Sequence, residues 1–116
     1  MSACYRVTFK AATNADLRQG FQVTDDDGAP IDLTGADLRM DVEERPGVDV
    51  LEASSANGMI AVTAPATGHF ELAVPAAVMG GLAPGVYQHD LVATLANGHV
   101  HRIWAGTLTL ARGVSE

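Results

Sequence analysis

Two histidines one residue apart, His99 and His101, are the side chains of this sequence best spaced for chemistry. On a strand they leave from the same face, and two imidazoles so placed begin a zinc or iron site. Such a site needs three or four convergent ligands. With Ala96 opposite His99 across the Asn97-Gly98 turn, Thr94 rather than a carboxylate stands across from His101, and His89 points to the other face. No metal is expected. Asp25-Asp26-Asp27-Gly28 lacks the spaced ligands and closing Glu of a helix-flanked calcium loop and reads as a hairpin turn. The serines Ser2, Ser54, Ser55 and Ser115 include none in a strand-to-helix elbow, and Glu43-Glu44 reads as a solvated strand end. Gly80-Gly81 marks a turn rather than a phosphate loop, and His69 falls at an exposed strand start. No catalytic, cofactor-binding or metal-binding residues are expected, and no enzyme.

The elements that would carry these residues are strands. Tyr5–Phe9, Phe21–Thr24 and Leu38–Val42 alternate apolar and polar, the period of a half-buried strand, with Leu38, Met40 and Val42 facing inward. Shorter runs follow at Val48–Leu51, Met59–Val62 and His69–Val74. Pro75–Met79 is the one helical stretch, stopped within a turn by Gly80-Gly81. The last third is a hairpin, Val86–Leu95 and His99–Leu110, joined through Asn97-Gly98 in a type I′ turn. In Leu82-Ala83-Pro84-Gly85-Val86-Tyr87 a Pro-Gly turn leads into a Tyr at the mouth of a strand, which is how many two-sheet sandwiches tie a corner. The expected fold is all-β, an immunoglobulin-like antiparallel β-sandwich with at most one short helical turn, a single domain over 1–116.

Composition excludes several partners. The net charge is −7, from 14 acidic and 7 basic residues, which opposes a nucleic-acid backbone or an anionic membrane surface. Nucleic acid and membrane are not expected as partners. Cys4 is the only cysteine, so no intrachain disulfide forms, and it reads as a small buried hydrophobe. The start of the chain has no basic segment followed by an apolar run, so a cytosolic site of synthesis is expected.

The two-residue turn also sets a hairpin register. Leu95 then faces Val100, Leu91 faces Trp104 and Tyr87 faces Leu108, forming the core side. The other side pairs Val92 with Ile103 and Val86 with Thr109. Apolar residues on an outer face suggest a contact, so Val86, Val92 and Ile103 are the candidate interface.

The order of motifs resembles small tailed-phage and prophage virion proteins. The residues that carry this are Phe21-Gln22-Val23-Thr24-Asp25, Asp32-Leu33-Thr34-Gly35 before Leu38–Val42, then Gly85-Val86-Tyr87-Gln88-His89-Asp90-Leu91 and the returning Arg102 to Leu110 strand. The resemblance spans roughly 18 to 111. It implies an immunoglobulin-like structural subunit, made in the bacterial host cytoplasm and built into a virion. Such a subunit is tail- or baseplate-associated, or else a head decoration or collar protein. Its partners would be other virion proteins, and it would form a homo-oligomer or ring. A carbohydrate-binding module is the alternative outside that family, although aromatic residues make up only 5% of the chain.

Overall fold

The alternation seen in the sequence becomes eight strands among the described residues. The computed structural model describes residues 5–25 and 27–112, so Cys4, Asp26, Ser2 and Ser115 lie outside it. The strands are β1 (Tyr5–Ala12), β2 (Leu17–Gln22), β3 (Asp37–Arg45), β4 (Val48–Ser54), β5 (Ile60–Ala64), β6 (His69–Val74), β7 (Gly85–Thr94) and β8 (Val100–Ala111). They form a five-stranded sheet in the order β1-β8-β7-β3-β4 and a three-stranded sheet in the order β2-β6-β5. The fold is the expected all-β sandwich. One pairing departs from the antiparallel rule: β1 runs parallel to β8, from Tyr5 beside Trp104 to Ala12 beside Ala111.

Among the described residues, short helical pieces number two rather than one. The helix α1 (Ala76–Met79) follows Pro75, where a missing N–H costs nothing. A 3-10 turn at Pro65–Thr67 was not anticipated, and it has Pro in its first turn and a left-handed Gly68 closing it. Strand β2 begins four residues before the stretch expected to hold it. Thr24 pairs with Pro30 in an isolated bridge, and the Asp25 carboxylate accepts from the N–H groups of Asp27 and Ala29 at 2.9 and 3.0 Å. That segment is spent on a turn, as Asp-rich sequence favours.

Between the sheets, Leu38, Met40 and Val42 of β3 and Phe70, Leu72 and Val74 of β6 are all buried in one core. Each such side chain contributes about 1.5–3 kcal/mol by leaving water. Tyr87 ties the anticipated corner: its ring is buried and its hydroxyl donates to the Ala83 carbonyl.

The hairpin β7–β8 is where the register differs. Gly98 has φ +89°, but no non-glycine residue among the described ones has positive φ, so Asn97 does not adopt the type I′ conformation. Instead Gly98 N–H donates to the Leu95 carbonyl at 2.9 Å and Leu95 N–H to the His99 carbonyl at 2.8 Å. This is a three-residue loop, Ala96-Asn97-Gly98, with the left-handed glycine last. It moves the pairing by one, to Thr94 with Val100, Ala93 with His101 and Val92 with Arg102. A bulge between Leu91 and Val92 then restores Leu91 to Trp104, Tyr87 to Leu108 and Val86 to Thr109.

Three expectations change as a result. Val100, placed in the core by the shorter turn, is 65% exposed, while Leu95 is only half-buried against the core. His101 lies across from Ala93 and so shares the face of Ala93 and His89 rather than opposing it. Ile103 is 5% exposed and belongs to the core beside Trp104, so of the candidate interface Val86, Val92 and Ile103, only Val86 and Val92 remain on the outer face. Of the six residues expected to share a core, Tyr87, Leu91, Trp104 and Leu108 do so.

The outer face of the five-stranded sheet is graded in charge. One row crosses all five strands as Arg6, Ala105, Asp90, Asp41 and Glu52, and the next as Thr8, Thr107, Gln88, Glu43 and Asp49. In these two rows the one cation, Arg6, lies at the β1 edge and the carboxylates lie from β7 to β4. Carboxylates opposed across strands repel by a few tenths of a kcal/mol each. Arg39 offsets part of this by reaching Asp41 at 3.1 Å and Glu52 at 3.4 Å, and Asp41 in turn raises the guanidinium's pKa.

Candidate functional site

The bulge in the hairpin places Ile103 and Trp104 side by side, both turned inward, and a cleft opens over them. Bulges commonly re-aim side chains beside a site in this way. The cleft holds about 440 Å³. One wall comes from β1, through Arg6 and Val7, and the other from Phe21 and Gln22 of β2 with Val23 and Thr24 beyond it. Strands β1 and β2 are edges of different sheets, so the sandwich is open along this side. Phe70 and Trp104 form the floor.

All three phenylalanines and the single tryptophan gather at or behind this floor. Trp104 lies 4.6 Å from Phe21, 5.9 Å from Phe70 and 5.9 Å from Phe9 between ring centroids. Phe21 is half-buried, the other three fully buried. The Trp104 Nε1–H is buried and has no acceptor among the described residues. An indole N–H left without a partner is uncommon, because leaving a buried donor unmade costs about 1–3 kcal/mol. Arg6 stands exposed at the rim.

Behind the floor sits His89, on the core side of β7 and 5% exposed. Its ring stacks at a tilt 5.0 Å from Phe9 and meets Trp104 edge-on at 6.3 Å. Nε2 lies 3.1 Å from the Thr107 carbonyl, an oxygen that only accepts, so Nε2 carries the proton and Nδ1 is the unprotonated nitrogen. Nδ1 is buried without a hydrogen-bond partner among the described residues. Burial pushes the imidazole pKa below its ordinary 6.5, against smaller upward contributions from the Thr107 and Val7 backbone and from Asp90.

A pH dependence follows. Above the unfolded value near 6.5 both states hold a neutral ring and the full stability is present; as pH falls through that value toward the lower folded one, the unfolded chain binds the proton first. Stability is therefore expected to decline below about pH 6.5, by at most about 1.4 kcal/mol per pH unit from this group. Urea midpoints at pH 7.5 and 5.5 for the parent and His89→Gln check it, since the variant should lack this component of the decline. Equal declines would show that His89 is not the group responsible.

The other anticipated chemical groups do not converge. His99 and His101 have ring centroids 6.4 Å apart, and among the described residues no three His, Cys, Asp or Glu side chains stand where they would share a metal ion. His69 is exposed at the start of β6, its Nδ1 2.8 Å from the Thr67 hydroxyl. A shallow depression of about 190 Å³ on the graded face is lined by Asp41, Glu43, Asp49, Asp90 and Arg102, the last 3.7 Å from Asp90. The cleft itself was not foreseen, because it needs β1 and β2 in separate sheets. The available signal was that so few aromatic residues, one of them next to the bulged position, had to pack together.

No protein-family model matches the chain, and no curated protein matches it. Among solved structures it is similar to CopC from Methylosinus trichosporium OB3b, with a TM-score of 0.51 and 15% identity over 93% of this chain and 89% of that one. At this identity the likeness shows the fold alone. The expectation of a tailed-phage structural protein, whether of tail, baseplate, collar or head, is corrected: the solved structure that the chain resembles is CopC, and no family model or curated protein ties it to a virion. The motifs behind that expectation serve local geometry. Asp32 accepts from the Thr34 hydroxyl and N–H at 2.6 and 2.9 Å, which lower its pKa, and Tyr87 ties the corner. Sandwiches of any function use such devices. The carbohydrate-module alternative is corrected with it, since Phe9, Phe70, Tyr87 and Trp104 are buried and form no exposed platform.

Proposed function

We propose that this protein is a non-catalytic binding module that takes a small, mostly apolar ligand bearing an anionic group into the cleft between β1 and β2. The observation that carries it is the cleft's composition: a floor of Phe70 and Trp104, a wall that includes Phe21, and a single cation, Arg6, at the rim of a volume of about 440 Å³. Small-molecule sites are concave, mainly apolar and of a few hundred cubic ångströms, with a few polar groups that orient the ligand. Binding is favoured over catalysis because the lining offers one guanidinium, an amide and a hydroxyl, and no carboxylate, imidazole or thiol to move a proton.

Trp104 is the only tryptophan, so its emission reports directly on the cleft. Titration with anilinonaphthalene sulfonate, an aromatic body with an anionic group, is expected to give saturable energy transfer from Trp104. Arg6→Ser should weaken it roughly tenfold by removing a charge-assisted contact. Val7→Phe, which fills the cleft, should abolish it. Absence of transfer to the parent, or equal binding by a folded Val7→Phe variant, would refute the assignment.

A further inference from the structure

Among the described residues the five-stranded sheet has two free edges, and they differ in sign. At one edge β1 turns Arg6 and Lys10 to the outer face, both exposed and neither in a salt bridge among the described residues. At the other, β4 carries Asp49 and Glu52, both exposed, beside Asp41 and Glu43 of β3. Of these, Asp49 and Glu43 have no salt bridge among the described residues. The edge strands are eight and seven residues long, and neither contains a proline to interrupt pairing.

An unpaired edge offers a row of backbone donors and acceptors to another strand. Charged side chains normally guard such an edge, and here they do so selectively. Two β1 edges brought together would oppose Arg6 and Lys10 to their own kind, and two β4 edges would oppose Asp49 and Glu52. A β1 edge against a β4 edge instead sets cations against carboxylates. Strand direction agrees with that choice. Because β1 is parallel to β8 while β8, β7, β3 and β4 alternate, β4 runs opposite to β1. Two copies placed one after the other with the same face outward therefore meet through an antiparallel pair, the more stable kind of ladder.

We infer that the partner of these edges is a second copy of this chain, docked head to tail so that β4 of one copy extends onto β1 of the next. The contact is heterologous: each copy uses two different surfaces, and association continues into a ring or an open filament. It does not depend on the ligand-binding proposal.

Charge exchange tests it. Sedimentation of the parent at low salt should show association that grows with concentration and weakens as salt is added. Arg6→Glu with Lys10→Glu makes both edges acidic, and Asp49→Lys with Glu52→Lys makes both basic. Each double variant alone should lose roughly tenfold or more in association constant. Mixed in equal amounts, the two should associate again, because every acidic edge then has a basic one to meet. Circular dichroism confirms folding; if a variant does not fold, the salt dependence of the parent's own association decides. A parent that stays monomeric at low salt and high concentration, or folded variants that remain monomeric when mixed, would overturn the proposal. So would variants that associate as the parent does, or parent association indifferent to salt.

Discussion

Replacing Gly106 with alanine is expected to destabilise this domain by at least about 3 kcal/mol, far beyond the usual effect of adding one methyl group. A Cβ built at Gly106 falls 1.7 Å from the Val7 carbonyl oxygen, 2.7 Å from its carbon and 3.1 Å from the Val7 nitrogen. These are backbone atoms, so no rotamer change relieves the clash. Strand β1 has to move, and β8 is its only sheet neighbour among the described residues. The glycine is thus what lets the parallel pair approach while the His89 ring occupies the position across from it on β7. Chemical denaturation measures the loss. Hydrogen exchange shows its form: if β1 peels away locally, its amides lose protection while those of β3 and β7 keep theirs. An alanine variant with near-parent stability and a protected β1 would mean that Val7 does not sit over Gly106.

Trp104→Ala is expected to cost about 3–5 kcal/mol. The indole packs against Phe9, Phe21 and Phe70 at once and is 2% exposed, so its removal leaves a cavity that three rings on three different strands cannot readily close. Trp104→Phe makes a useful comparison. It keeps an aromatic ring in the site and removes a buried N–H that has no acceptor, so its loss should be well under that of the alanine variant. Far-ultraviolet circular dichroism during urea unfolding reads both. Near-parent stability of Trp104→Ala would remove this residue from the core, and a phenylalanine variant as unstable as the alanine one would indicate that the indole N–H has a partner after all.

Local rules were enough for much of the architecture. The alternation of Leu38, Met40 and Val42, the brief helix after Pro75, the Asp25 turn and the Tyr87 corner each depend on residues a few positions apart, and each forms as the sequence indicates. What escaped the sequence was decided at longer range or by a near tie. Asn97-Gly98 suits a two-residue turn, yet the same glycine serves as the left-handed closing residue of a three-residue loop, and that single step inverted the faces of Val100 and His101. The compensating bulge carried Ile103 from the expected interface into the core. Period-two alternation marks Tyr5–Phe9 as strand without saying which strand it joins or in which direction. For that reason neither the parallel pair nor the cleft beside it was visible, nor the charge gradient that only appears once five strands are laid side by side.

The parallel pair also governs when the domain can become whole. Strand β1 leaves the ribosome before any other strand described here, yet its one sheet neighbour, β8, is the last to be made. At 5–20 residues per second, a typical pace of synthesis, β1 waits several seconds in the company of an incomplete sheet. Its apolar side, Val7 and Phe9, has no settled place until Trp104 and Leu108 arrive. Pairing of such distant segments is slow because a long loop must close before any contact rewards it. Emergence of β8 is then the moment at which β1 docks, and a nascent chain halted before Val100 would keep β1 open to chaperones.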